Sequence, residues 1–308
     1  MRKLFHLVLF LLIICTNYSF AQQGKITINA ERNTDRSVVF NFSKHDPGTM
    51  TVQFKFNNLE NTSVNTSVYQ SKGYSGSILT LRPLNKEQNI TYSYSYRYIR
   101  GKLKPKFDAN FVYGLPHAEF ADVIVSEANY LSARYFGNTQ PEDWKSYYLH
   151  TKNEENILAS RKGLVVEVVD EYEDFSDDES FKSKNNKIII EHEDGTLATY
   201  GALKKGSVKV KVGDTVFPKT QLATNSKRGD NRYSFAFSIM YLKAADLYVN
   251  EGKNVSNDVS LYGFVTPKFS VNSGEQMVEN NKTYQAVWSD ALIVKEMSKK
   301  ELKKYKSN

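Results

Sequence analysis

The chain has 308 residues, which is long enough for two domains of ordinary size. Its formal net charge of +7 falls to +5 when Arg2 and Lys3 leave with a leader, because the other basic and acidic residues stay. An excess this small is typical of a solvated surface; it suits an anionic envelope and does not indicate a nucleic-acid partner. Because Cys15 is the single cysteine, an intrachain disulfide framework is excluded.

Residues 1–21 predict a leader for export. A charged start, an apolar run up to Cys15, and small residues at Ser19 and Ala21 are the three parts of a secretory signal peptide. We expect cleavage after Ala21, so that Gln22 begins a mature protein of the periplasm or cell envelope. The alternative is a lipoprotein cleavage box ending at Cys15, although a bulky isoleucine precedes that cysteine.

Residues 25–110 predict an immunoglobulin-like β-sandwich. Four runs alternate apolar or aromatic with polar residues, as half-buried strands do: Ser37–Ser43, Met50–Phe56, Ser77–Leu81 and Ile90–Arg97. The alternating tyrosines of residues 92–98 have two interpretations. We favour a strand with one aromatic core face, and the alternative is a stripe on which a carbohydrate stacks.

Residues 111–290 predict a second all-β domain, a barrel or sandwich. Short β-rich runs are separated by Asp-Gly and Gly-Asp turns, which are typical of tightly connected strands. The predicted strands include a strand-turn-strand unit at Asn156–Val169, followed by Ile188–His192, Thr196–Tyr200, Val208–Val212 and Tyr233–Ile239. The fold class expected for the whole chain is therefore all-β.

Two charged segments have no assigned chemistry. Residues 170–180 carry seven carboxylates. We interpret this segment as an exposed loop between strands. The alternative is a calcium site, although the segment lacks the glycine at which a calcium-binding loop turns. Residues 291–308 predict a basic tail with a frayed helix, solvated by default, although anionic glycans or lipid headgroups are alternative contacts.

Four motifs of the second domain resemble the core of the lysostaphin-type zinc endopeptidases, which cut peptide cross-links in peptidoglycan. The motifs are residues 193–196 (EDGT), 200–203 (YGAL), 210–216 (VKVGDTV) and 234–237 (SFAF). Their order is similar to that of the family, in which a strand and an Asp-Gly-Thr turn precede Tyr-x-His-Leu, Val-x-Val-Gly-Asp-x-Val and His-Leu-His-Phe. The resemblance implies a duplicated-hybrid-motif fold and a peptidoglycan partner.

The resemblance also implies where zinc would bind, and there this sequence departs from the family. The family's ligands are a His and an Asp four residues apart and the second His of His-x-His. Carried over, these fall on Trp144, Tyr148 and Ala236, while the two assisting histidines fall on Ser234 and Ala202. Zinc in proteins binds imidazole, thiolate or carboxylate, which none of these residues offers. We therefore expect a degenerate member without catalytic residues, metal or cofactor.

Three functions remain as hypotheses. The first is a non-catalytic module that binds peptidoglycan or its stem peptides, or regulates an active cell-wall hydrolase. The second is an active zinc endopeptidase with displaced ligands, for which His150, His192 and a carboxylate are the candidates. The third is a structural envelope component. No serine-hydrolase elbow, phosphate loop or Cys/His pair offers another chemistry.

Overall fold

The computed structural model describes residues 25–128, 143–174, 185–228, 232–249, 251 and 260–307. Nearly all of its regular structure is strand, which confirms the all-β fold class. The predicted leader, residues 1–21, lies outside the described residues. The strands are β1 (Ile26–Arg32), β2 (Val38–Lys44), β3 (Met50–Glu60), β4 (Val68–Ser71), β5 (Ser75–Leu81), β6 (Thr91–Arg100), β7 (Val112–Gly114), β8 (Asp122–Glu127), β9 (Tyr147–Thr151), β10 (Asn156–Leu158), β11 (Gly163–Val169), β12 (Lys187–Glu191), β13 (Leu197–Gly201), β14 (Thr215–Val216), β15 (Gln221–Thr224), β16 (Ser226–Lys227), β17 (Tyr233–Leu242), β18 (Tyr262–Val265), β19 (Lys268–Val271), β20 (Gly274–Met277) and β21 (Lys282–Gln285). The helices are α1 (Asp290–Val294) and α2 (Lys299–Lys306).

Two three-stranded sheets form the N-terminal sandwich. Their strand orders are β1-β2-β5 and β4-β3-β6, so the first, second and fifth strands share one sheet as in immunoglobulin-like folds. Alternate side chains of β2 and β3 fill the space between the sheets. Phe40 and Phe54, for example, are buried and pack edge to face with their ring centroids 5.5 Å apart.

The tyrosines of β6 belong to this core. Tyr92, Tyr94 and Tyr96 pack against the buried cluster of the sandwich, and the Tyr94 hydroxyl donates to the carbonyl of Ile28 at 3.3 Å. Strand alternation turns all three rings to the same, inner face. The carbohydrate-stacking interpretation of residues 92–98 is therefore wrong, and the core interpretation is confirmed.

A ten-stranded sheet carries the second core. Its order is β14-β11-β12-β13-β17-β9-β8-β21, and β16 and β18 also pair with β17. Strand β17 is central because it pairs with β13, β9, β16 and β18. Side chains of one sheet face, among them Tyr147, Ile190, Tyr200 and Phe235, form the buried cluster. The opposite face of β9, β13 and β17 is called the outer face below.

The predicted strand Val208–Val212 is not formed. The segment is tied to β15 by the N–H of Lys209, which donates to the carbonyl of Leu222 at 2.8 Å. It runs between two turns whose glycines, Gly206 and Gly213, have φ values of 71° and 95°. Between these turns the chain forms a loop in which Val208 and Val210 pack against the core.

Charged contacts join the sandwich to the sheet. Arg100 at the end of β6 binds both oxygens of Asp46, at 2.9 and 3.0 Å, and its Nε lies 3.5 Å from Glu167 of β11. The carboxylate of Glu191 accepts hydrogen bonds from the N–H and the hydroxyl of Thr49, at 2.6 and 2.5 Å. The apolar part of this contact is a small cluster of Val166, Ile189 and Leu197. The sandwich thus covers one end of the outer face.

The first of the two C-terminal helices packs onto the second core. Leu292 and Ile293 of α1 are buried in the core cluster, although the sequence predicts a tail from residue 291. Helix α2 begins with a capping box between Ser298 and Glu301, and all its lysines are exposed.

The domain boundaries at residues 110 and 290 stay predictions. Within the described ranges, neither helix has the length and apolarity that a membrane crossing needs.

Candidate functional site

Strand β17 separates the core from the positions that the family resemblance singles out. Phe235 and Phe237 are at most 1% exposed and lie in the core cluster. Ser234 and Ala236 point to the outer face, because successive side chains of a strand alternate. The predicted arrangement of this strand, aromatic on the core side and small on the other, is confirmed.

The strand register brings three of the predicted positions together. Ala236 lies directly opposite Tyr148 of β9, and Ser234 lies opposite His150 of the same strand. Such cross-strand partners have Cβ atoms about 5 Å apart. On the other side of β17, Ala236 is opposite Gly201, so Ala202 follows at the end of the adjoining strand.

Ala202 stands at a turn with φ of 56°, in the left-handed region. Its N–H donates to the side-chain oxygen of Asn185 at 3.2 Å. Alanine is strained in this conformation, whereas Asn, Asp and His adopt it more readily. The backbone here therefore keeps a shape that would suit the histidine of the family motif.

Trp144 lies apart from the other predicted positions. Its indole N–H donates to the carbonyl of Ala128 at 3.0 Å, and its ring centroid is 4.7 Å from that of Phe264. Phe264 pairs with Met240, four residues from Ala236 along β17, which corresponds to about 13 Å of extended chain. Trp144 is therefore not assembled with Tyr148 and Ala236 as the family spacing predicts.

A cation lies among the assembled positions. Arg228 follows β16, and its Nε donates to the hydroxyl of Ser234 at 2.9 Å. Its guanidinium carbon is 5.4 Å from the centre of the Tyr148 ring, a cation–π distance. The hairpin of β16 and β17 fixes this geometry, since Lys227 pairs with Tyr233 and the N–H of Arg228 donates to the carbonyl of Arg232.

Sequence reasoning missed Arg228 because no family motif covers it. A signal was available in the stretch SKRGDNRY of residues 226–233, in which Gly-Asp-Asn marks a hairpin turn. Pairing the two arms of such a hairpin would have placed Arg228 close to Ser234. The residues at the tip of this turn lie outside the described ranges.

His150 belongs to the same outer face. Its Nε2 is 3.0 Å from the hydroxyl of Ser126, and its ring centroid is 6.1 Å from that of Tyr148. His192 lies elsewhere, at the end of β12, where its Nδ1 is 2.9 Å from the hydroxyl of Thr196. The two histidines belong to opposite ends of the sheet, about 20 Å apart by the register of β17. They do not form the alternative site considered from the sequence.

His192 is part of a second ionic cluster centred on Arg161. The guanidinium of Arg161 donates to Glu296 at 2.6 and 2.9 Å, to Asp194 at 2.7 Å and to the hydroxyl of Tyr113 at 3.2 Å. Burial, and secondly the charge of Arg161, lowers the pKa of His192 to about 3. This cluster ties the C-terminal helices to the β12–β13 hairpin and has a structural role.

The residues at the predicted ligand positions do not fit zinc. Ala236 and Ala202 have no donor atom, and the hydroxyl of Ser234 accepts a hydrogen bond from Arg228. A divalent cation about 5 Å from the guanidinium would be repelled by several kcal/mol at an effective dielectric constant of about 20. In the part of the chain that the structure describes, no three His, Cys, Asp or Glu side chains are grouped to hold a metal.

The start of the acidic segment binds a neighbouring turn. The Asp170 carboxylate accepts from the N–H of Gly206 at 2.8 Å, and that of Asp174 accepts from the N–H of Lys205 at 2.7 Å. These carboxylates therefore act as acceptors for backbone groups of the loop that follows β13. Residues 175–180 lie outside the described residues, so the calcium alternative for residues 170–180 stays a prediction.

Comparisons with known proteins agree with the motifs of the second domain. The model of Peptidase family M23 matches residues 142–250, a range that contains β9 to β17 and all five predicted positions. A solved structure from Pseudomonas aeruginosa, provisionally assigned to peptidase M23, is 13% identical with a TM-score of 0.25 and covers 61% of this chain and 82% of its own. That TM-score is too low to carry an argument. No curated protein matches. The family match places a domain of peptidase family M23, the lysostaphin-type peptidases, within this chain.

Proposed function

We propose that this M23 domain binds peptidoglycan stem peptides without cutting them. The family acts on peptidoglycan, so its wall peptides are the ligand class with the strongest prior support. The proposed location is the cell envelope, because the predicted leader would export the protein there. A peptide binder of this kind could recruit an active cell-wall hydrolase or compete with it.

The observation that carries the proposal is the position of Arg228. In active relatives the corresponding face holds a metal cation, whereas here a guanidinium lies over Tyr148 and is bonded to Ser234. A guanidinium is a planar cation whose N–H donors lie in a fixed fork. Its geometry matches a carboxylate, with which it forms paired, charge-assisted hydrogen bonds.

The ligand chemistry follows from this cation. Stem peptides end in a free carboxylate and expose backbone carbonyls, both of which are acceptors. A fixed positive charge attracts such a group but supplies no water activation. Binding without hydrolysis is therefore the chemistry that Arg228, Ser234 and Tyr148 support.

The test is binding of protein recovered from the envelope fraction to purified sacculi and to a labelled stem tetrapeptide. The recovered chain should begin at Gln22. Changing Arg228→Gln should weaken tetrapeptide binding about tenfold or more, because a hydrogen bond to a charged group contributes about 1.5–3 kcal/mol. The matched control is Arg82→Gln, an exposed arginine of the sandwich.

Amidating the terminal carboxylate of the tetrapeptide should cost the wild-type protein as much affinity as the Arg228→Gln change does. If the wild type binds neither sacculi nor peptide, the protein is a structural envelope component and the proposal is wrong. Release of soluble wall fragments that is abolished by a chelator would instead establish the active endopeptidase.

A further inference from the structure

We propose that a groove beside the C-terminal helices is a docking site for an acidic peptide segment of a partner protein. The groove has a volume of about 620 Å³ and lies between the turn after β14 and the two helices. It is distinct from the outer face, since it is built on the edge strand β14. Its main lining residues are Phe217, Pro218, Ile293, Met297, Lys304 and Tyr305.

The lining is mostly apolar and includes two lysines and one carboxylate, Glu301, which is paired with Lys162. Ile293 comes from the buried side of α1, and Tyr305 of α2 is 40% exposed at the edge. The two lysines are Lys304 of α2, which forms no ion pair among the described residues, and Lys219, whose Nζ lies 3.7 Å from the carboxylate of Glu119. A ligand that fills this groove therefore needs apolar side chains flanked by negative charge.

The positive charge of α2 is not neutralised by ion pairs among the described residues. Its five lysines are exposed, and none of them takes part in the ion pairs formed among the described residues; they are Lys299, Lys300, Lys303, Lys304 and Lys306. The helix's one carboxylate, Glu301, is engaged by Lys162 at 2.8 Å. The hydrogen bond from Lys162, and secondly that from Ser298, lowers the pKa of Glu301 to about 2, so it stays ionised and paired.

A peptide fits these observations better than a membrane surface. Apolar groups that enter a bilayer protrude from the protein, whereas the apolar groups here line a depression between a turn and two helices. A chain segment can place one or two apolar side chains in the depression and its carboxylates against the lysines of the lining. We therefore assign the groove to an acidic peptide with aromatic or aliphatic residues.

Helical geometry supplies a matched pair of variants. Residues 297, 301 and 304–305 line the groove, and residue 300 lies one turn from residue 304 on that side. Residues 303 and 306 lie on the opposite side of α2. Lys300→Glu with Lys304→Glu and Lys303→Glu with Lys306→Glu therefore change the net charge equally but on different faces.

The probe is a fluorescein-labelled octapeptide, Asp-Leu-Asp-Asp-Phe-Glu-Asp-Leu, titrated against the full mature chain. Wild-type protein should bind it with a micromolar Kd, and the Lys300/Lys304 double variant should bind at least tenfold more weakly. The Lys303/Lys306 control should lose less than threefold. Replacing the probe's Leu and Phe with Ser should abolish binding, because the groove lining is mostly apolar.

Two results would overturn the proposal. Equal losses in both double variants would show that the probe responds only to net charge. Binding to vesicles containing anionic lipid, without binding to the probe, would identify a membrane surface instead. A thermal melt of each variant checks folding; because the four lysines are exposed, Tm should stay within a few degrees of the wild type. Stem-peptide binding at Arg228 should be unchanged in all of them, so this test is independent of the proposed function.

Discussion

Arg161→Ala should lower the free energy of unfolding by about 3–5 kcal/mol, the usual cost of removing one partner of a buried ion pair. The side chain of Arg161 is 5% exposed, and its loss would leave the partly buried carboxylates of Glu296 and Asp194 without their cation. Burial alone would lower the pKa of Arg161, but its hydrogen bonds to Glu296 and the neighbouring negative charges raise it. The arginine is therefore charged at every pH of interest. Chemical denaturation followed by fluorescence measures the loss.

The control for this prediction is an exposed ion pair of similar geometry. Lys204 binds both oxygens of Glu154, at 2.8 and 2.9 Å, and about two fifths of each side chain is exposed. Lys204→Ala should cost less than about 1 kcal/mol, as exposed pairs do. If the Arg161 and Lys204 variants lost the same stability, the cluster around Arg161 would not be what fastens the C-terminal helices.

The protein should lose stability in mild acid, by about 4 kcal/mol between pH 7 and pH 5. Burial lowers the pKa values of His117 and His192 to about 3, against about 6.5 in an unfolded chain. Below pH 6.5 these two histidines are therefore protonated in the unfolded chain and remain neutral in the folded chain. The additional protons bound by the unfolded chain favour unfolding. Each histidine contributes a slope of about 1.4 kcal/mol per pH unit, and the loss continues until about pH 3. Unfolding free energies measured at half-unit pH steps give this slope.

His117→Phe isolates one of the two contributions. The imidazole of His117 is fully buried and packs edge to face with Phe235 at 5.4 Å. Neither of its ring nitrogens has a hydrogen-bond partner among the described residues. A phenyl ring therefore keeps the packing and removes a desolvated polar group, so stability at pH 7 should be equal or higher. The acid slope should fall by half, and an unchanged slope would show that other groups cause it.

Strand pattern and register were the predictable parts of this molecule. The two faces of β17 follow from the alternation of Ser234, Phe235, Ala236 and Phe237, a local property of the chain. The meeting of Tyr148 with Ala236 follows from family spacing and antiparallel pairing. The prediction of a strand at residues 208–212 was wrong, because the glycine turns on either side leave too short a segment to pair continuously with a neighbouring strand.

Long-range contacts were beyond the sequence. Arg228 approaches Tyr148 only because β16 and β9 pair with the same end of β17, and the two residues are far apart in the chain. The pairing of Arg100 with Asp46 and Glu167 likewise depends on how the sandwich meets the sheet. In the sequence, Leu292 and Ile293 look like part of a basic tail. Their burial depends on contacts with core residues that are distant in the chain.

We propose that this M23 domain holds an arginine where active relatives hold a metal. Zinc content of the purified mature protein, measured after dialysis against metal-free buffer, tests it most directly. We predict far less than one zinc per chain and a Tm that a chelator does not change, because Ala202, Ser234 and Ala236 provide no ligand beside Arg228. One zinc per chain that survives dialysis, with a Tm that falls on chelation, would contradict the account.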